Sequence, residues 1–317
     1  MEVLLATLYP MLAMFLCMLV GFILRKCQII PENSGEVLSK LENFIFVPAL
    51  VFATFSEYCN VGSLIEYKDM ILYSIISLIF AYAISIPLSK VFENKDGYKN
   101  KIYQYALTFG NFSFMGNAIV PAIMGGDEHL FKYLLFTLPL LTAVYTWGVL
   151  VLTPKDKRQG SVFKSLLNPI FIALILGVIV GVFDLKKYIP TYIESTIGYF
   201  KSCMAPLAML LTGFVVGGYD FKSLLKDKKI YIASLLRLFV IPAVLLAILK
   251  LFGADNYTIL LALIAYATPL GLNTVVFPAA FGGESKTGAS MAMISHVLCV
   301  ISIPVMYALA NWVLTII

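Results

Sequence analysis

Asparagine, glycine and proline stand where an apolar helix tolerates them least. One stretch reads Phe109-Gly110-Asn111-Phe112-Ser113-Phe114-Met115-Gly116-Asn117-Ala118, a second Ala265-Tyr266-Ala267-Thr268-Pro269-Leu270-Gly271-Leu272-Asn273-Thr274. Glycine in a helix interior costs about 1 kcal/mol and proline about 3. In hydrocarbon each freed backbone group costs several kcal/mol more unless it finds a partner. Such breaks persist where protein shields them or where they line a wet cavity. Each span is expected to resume as a half-helix whose N-terminal end carries roughly half a positive charge and unpaired N–H donors. Two such ends in a low-dielectric cavity favour an anion, typically a carboxylate. The candidate binding residues are Asn111, Ser113, Gly116, Asn117, Pro269, Gly271, Asn273 and Thr274, with the amides and hydroxyls able to donate or accept. The plainer alternative is that these residues only kink two helices and satisfy one another.

The surroundings of these stretches fix the class of protein. The chain has 317 residues, of which 60% are hydrophobic and 13% charged. So little polar surface could not cover a soluble protein of this size, which excludes a cytosolic enzyme, a secreted disulfide scaffold and a disordered regulator. Cys17, Cys27, Cys59, Cys203 and Cys299 are scattered and never in CxxC spacing, and neither histidine, His129 nor His296, has a cysteine or carboxylate cluster near it. No disulfide framework, metal site or cofactor is expected. No P-loop, HExxH motif or GxSxG elbow is visible, and no paired catalytic set in the spans. The expectation is an integral membrane protein that is not an enzyme.

Ten spans are expected, approximately Val3–Leu24, Val37–Phe55, Met70–Val91, Ile102–Met124, Phe131–Leu152, Pro169–Phe183, Ile197–Gly217, Ile230–Phe252, Thr258–Phe281 and Gly288–Ile316. Arg25-Lys26 follow the first apolar run instead of preceding it, so a cleaved signal peptide is not expected. Of the lysines and arginines in loops, fifteen fall on one side, among them Lys90, Lys95, Lys99, Lys155, Lys157, Arg158 and Lys164, and five on the other. The positive-inside rule puts the first side in the cytoplasm and both termini outside the cell membrane. The net charge of +5 is then mostly a topology signal, and nucleic acid is not an expected partner.

The two halves match at a nearly constant shift: Gly21 with Gly181, Pro31 with Pro190, Glu36 with Glu194, Pro48 with Pro206, Pro121 with Pro278, and Gly125-Gly126 with Gly282-Gly283. Each half holds five spans, and an odd number inverts the second half. The expected architecture is all-α, a single membrane domain over 1–317 built as a 5+5 inverted repeat of 1–155 and 161–317, a layout of many secondary transporters. The broken spans are the fourth and ninth. Counted from Ile102 at ~1.5 Å per residue, Asn111 to Gly116 fall near the middle of a hydrocarbon core ~30 Å thick.

At these residues the chain resembles the auxin efflux carrier family, whose bacterial members include malate and malonate permeases. The resemblance covers essentially the whole chain. It is carried by the ten-span layout, by Gly110 to Asn117 in the fourth span, by Thr268 to Val276 in the ninth, and by Phe281-Gly282-Gly283-Glu284. It implies an organic-anion carrier in which spans four and nine cross as broken helices and Asn111 and Asn273 contact the substrate carboxylate. Asn117-Ala118 depart from the family, which often has proline shortly after the Met-Gly pair. The implied fold is similar to that of bile-acid sodium symporters. Spans one, two, six and seven (about 3–56 and 169–218) would form a scaffold, and spans three to five and eight to ten (about 69–152 and 229–316) a unit that moves as an elevator.

Four further residues are coupling or gating candidates. Glu42 could take a coupling proton if desolvated, or pair or snorkel together with Lys201. Arg237, about 12 Å inside the eighth span at 1.5 Å per residue, could pair with an acidic group, attract substrate, or snorkel. His296 could relay a proton or serve as a hydrogen-bonded packing residue. Trp147, Trp312 and many tyrosines read as interface anchors. The expected function is alternating-access transport of small organic anions, secondary active or facilitative, with H+ or Na+ as possible coupling ions and a homodimer as a possible assembly. The rival is a sodium- or proton-coupled symporter or antiporter of cations or bile-acid-like substrates on the same plan.

Overall fold

The computed structural model describes residues 2–154, 167–280 and 283–316. Lys155, Lys157, Arg158 and Lys164 of the charge count lie outside the described residues, as do Phe281 and Gly282 of the matched motifs. Among the described residues all regular structure is helical. We label the helices α1 (Glu2–Lys26), α2 (Ser34–Tyr58), α3 (Lys68–Phe92), α4 (Gly97–Thr108), α5 (Phe112–Met124), α6 (Asp127–Leu152), α7 (Pro169–Val182), α8 (Thr191–Gly217), α9 (Lys228–Leu251), α10 (Asn256–Ala267), α11 (Asn273–Ala280) and α12 (Lys286–Ile316). Seven of them are long and apolar enough to cross a membrane, and α5, α7 and α10 are shorter apolar helices. This is a multi-pass integral membrane protein.

The helices are sorted for lipid. In α3 the buried positions Ser74, Ser77, Ala81, Ser85 and Ser89 recur every three or four residues, whereas Leu72, Ile75, Ile79 and Ile86 are exposed. Small residues face the protein and large apolar ones face outward, because helices in lipid associate by close backbone approach. Glycines make the same approach elsewhere. A side chain at Gly21 of α1 would strike the Leu210 carbonyl of α8, and one at Gly213 would strike the Met18 carbonyl of α1. Gly177 and Gly181 of α7 lie against Phe52 and Phe55 of α2 and Cys59 just beyond its end.

Side-chain caps open the helices that carry the breaks. The Asp96 carboxylate accepts from the Tyr98 and Lys99 amides at the start of α4, and Asp255 accepts from the Thr258 amide at the start of α10. Each helix then stops where glycine or proline intervenes. After Thr108 the chain turns extended at Phe109, and after Ala267 it turns extended at Thr268. At the far end of α5, Gly125 takes a left-handed φ of 82° and Gly126 a φ of 113°, conformations open to glycine.

Some of the aromatic residues are packed within the protein, while Tyr9, Tyr188, Tyr192 and Tyr199 are exposed. Tyr105, Tyr133 and Tyr266 are fully buried, and Trp147 packs on the rings of Tyr82 and Phe109. These are interior residues, held inside because each ring or hydroxyl finds a partner there. Trp312 is exposed.

Candidate functional site

The two breaks are bonded to each other. Gly110 and Leu270 form an antiparallel bridge, and the Asn111 amide donates to the Pro269 carbonyl at 2.7 Å. Each break thus supplies the backbone partner that the other lacks, which is how hydrocarbon-buried chain can leave a helix. The α12 helix ties both. The Ser295 hydroxyl accepts from the Leu270 amide at 3.0 Å, and His296 Nε2 lies 3.1 Å from Asn111 Nδ2. His296 Nδ1 lies 2.7 Å from the Ala292 carbonyl. A carbonyl can only accept, so Nδ1 carries the proton and Nε2 accepts from the Asn111 amide.

Beyond the breaks, α5 and α11 begin side by side. Their first residues enclose a cavity of about 30 Å³ lined by Asn43, Asn111, Ser113, Tyr145, Gly271 and Asn273 among others. It has room for a water or two. The Asn273 amide donates to the Tyr105 hydroxyl at 2.9 Å. The first turn of α5, Phe112–Gly116, is a wide π-type turn, of a kind frequent at functional sites. The Asn111 carbonyl accepts from the Met115 and Gly116 amides.

Not all candidates converge on this cavity. Asn111, Ser113, Gly271 and Asn273 line it. Asn117 lines an adjoining apolar cavity that shares Phe112 and Ser113, and its buried Oδ1 has no partner. Pro269 acts through its carbonyl. The Thr274 hydroxyl donates to the Gly271 carbonyl and holds the start of α11. A side chain at Gly116 would meet the Tyr133 hydroxyl, which donates to the Phe112 carbonyl at 3.0 Å. Asn43, Tyr105, Tyr145 and Ser295 were not among the expected site residues. Their only signal was a polar group inside an apolar run.

The other ends of the broken helices carry the opposite charge. Arg237, in a π-type turn of α9, is fully buried. Its Nη1 reaches the Leu107 and Thr108 carbonyls, the last two of α4, at 3.4 Å each. The guanidinium sits 5.4 Å from the centroid of the Tyr266 ring in α10. It neither snorkels nor meets a carboxylate among the described ion pairs.

Glu42 begins a π-type turn in α2. It is fully buried, and neither carboxylate oxygen has a partner. Lys201 of α8 pairs with Asp127 of α6 at 2.5 Å, so the two residues do not act together. That pair borders a 220 Å³ pocket lined also by Ser56, Glu57, Lys186 and Glu194, where Lys186 bridges Glu57 and Glu194.

Comparison with known proteins agrees with this architecture. Residues 6–163 and 159–307 match the family described as membrane transport protein. An uncharacterized transporter of Methanocaldococcus jannaschii is 24% identical over 309 residues, covering 96% of this chain and 97% of the relative. With bonded helix breaks inside a lipid-facing helical body and a family match across nearly its whole length, the chain belongs to the membrane transport protein family, that of the auxin efflux carriers, and is a membrane transporter.

Proposed function

We propose that this transporter moves small organic anions, mono- or dicarboxylates, across the cell membrane by alternating access, with the carboxylate bound at the paired breaks. The observation that carries the reading is the cavity between the starts of α5 and α11, lined by Asn111, Ser113 and Asn273. Helix starts favour negative charge, and asparagine amides and a serine hydroxyl add donors without adding a competing anion.

The inverted-repeat reading draws support from matched contacts. Gly21 of α1 packs on α8, and its repeat partner Gly181 of α7 packs on α2, where α2 and α8 hold the matched Pro48 and Pro206. Asp96 and Asp255 cap the two broken spans alike. On this reading α4 with α5, and α10 with α11, are the crossing fourth and ninth spans of ten. Helices α1, α2, α7 and α8 form the scaffold, the rest travel as an elevator, and both termini face outward. A second reading, proton-coupled transport, rests on Glu42, whose buried and unpartnered carboxyl is best accommodated neutral.

Thermal stabilisation of the purified protein by a panel of mono- and dicarboxylates, repeated with and without sodium across pH, tests both. Saturable stabilisation by a carboxylate that is lost in Asn111→Ala/Asn273→Ala is expected. Equal uptake into proteoliposomes by wild type and the double variant would overturn the site. Stabilisation indifferent to pH in wild type and Glu42→Gln would overturn proton coupling.

A further inference from the structure

Two helices, α4 and α10, end at the breaks, and their last carbonyls have no successor turn to bond. Each C-terminal end carries about half a negative charge, so the two together amount to about one. Inside a membrane this charge needs a counter-charge. Freed carbonyls at such a place are the ligand set of a hard monovalent cation such as sodium, which takes oxygen donors.

Arg237 stands there. Its Nη1 lies 3.4 Å from the Leu107 and Thr108 carbonyls at the end of α4. Its Nη2 lies so close to Gly110 that a Cβ there would be 2.6 Å away, and the same Cβ would be 2.7 Å from the Thr268 carbonyl at the end of α10. Gly110 has no side chain because the guanidinium and Thr268 fill that space. The Tyr266 ring under the guanidinium adds a cation–π contact. Nε and Nη2 have no protein partner, so fixed ion-pairing does not explain why a charge is buried here. Arg237 does not line the substrate cavity, so it faces the negative pole of the breaks and leaves the positive pole open.

We propose that Arg237 is a built-in counter-cation: its guanidinium fills the place between the ends of α4 and α10 that a coupling sodium ion would otherwise occupy, so that transport needs no sodium. The inference goes beyond the anion reading. It makes Arg237 a positioning residue for the breaks, and its test needs no substrate.

Thermal unfolding of the full-length protein is measured in sodium chloride and in choline chloride at equal ionic strength. Wild type is expected to melt at the same temperature in both. Arg237→Met vacates the place: its melting temperature should fall, and millimolar guanidinium or sodium, not choline, should restore at least half of the loss. Arg237→Lys should retain most of it. Saturable stabilisation of wild type by sodium would overturn the proposal. So would an Arg237→Met protein as stable as wild type, or one whose loss neither lysine nor any added cation repairs, since Arg237 would then be a packing residue. Should Arg237→Met fail to fold, the sodium titration of wild type and the melting of Arg237→Lys still decide. If no carboxylate stabilises the protein while these results hold, the anion reading fails and this one stands.

Discussion

The Asn111 amide donates to His296 Nε2 across 3.1 Å, and His296 is itself held by a 2.7 Å contact from Nδ1 to the Ala292 carbonyl of its own helix. This chain of two bonds fixes which face of the Asn111 amide is nitrogen. One N–H is used by the histidine, and on the proposed reading the second is the donor offered to a carboxylate.

Asn111→Ala should weaken carboxylate binding about 10- to 100-fold, the worth of a hydrogen bond to a charged group at about 1.5–3 kcal/mol. Asn273→Ala should do the same, since Tyr105 engages part of its amide just as His296 engages part of that of Asn111. Titration calorimetry with a stabilising carboxylate checks both, and a cooperative melting transition without ligand shows that the fold survives.

His296→Phe removes the acceptor and leaves a buried amide N–H unpaired, at about 1–3 kcal/mol. His296→Gln offers an oxygen in its place and should recover part of that loss. Equilibrium denaturation of the three proteins gives the comparison.

Gly116→Ala should destabilise by about 1–3 kcal/mol, because the added methyl overlaps the Tyr133 hydroxyl in a packed interior. In a Tyr133→Phe background the same change should cost less. A non-additivity of about 0.5 kcal/mol or more in the double-mutant cycle is the expected outcome.

Asp127 and Lys201 join α6 to α8 by a half-exposed ion pair. Its coupling energy should be about 0.2–1 kcal/mol and should vanish at high salt. If α6 moves against α8 during transport the pair must part, so Lys201→Ala should raise the uptake rate in proteoliposomes.

Hydrogen bonds from Lys186 to Glu57 and Glu194 raise the lysine pKa above its usual 10.5. A raised pKa stabilises the fold fully below the unfolded value and ceases to do so as pH climbs through the folded one. Lys186→Met should therefore lower the melting temperature by the same amount from about pH 7 to 9, and the difference should shrink above about 10.5.

The positions of the breaks were legible because glycine, asparagine and proline are costly in an apolar run wherever the rest of the chain goes. The seven long apolar helices were legible for a similar reason, since the length of an apolar run is a local property. That the breaks satisfy one another was the plainer alternative in the sequence; which atoms bond was not legible. Asn111 and Pro269 are far apart in the chain, and nothing local marks one as the partner of the other. Arg237 was legible as an intramembrane charge expected to pair with an acidic group, attract substrate or snorkel, but what it meets is the backbone of α4, which has no residue type to read. Tyr105, Tyr133 and Tyr266 look in sequence like any belt tyrosine. Only the partners Asn273, Phe112 and Ser77 distinguish them.

The glycines at which α1 meets α8, and α7 meets α2, bring backbone against backbone. Surfaces seated on main chain have one register, since a shift of a single residue would drive a side chain into a carbonyl. Those seams are keyed joints that cannot creep. On the elevator reading, displacement falls instead on contacts made through side chains alone, and an inhibitor that wedges between such faces is expected to arrest the protein without disturbing its frame.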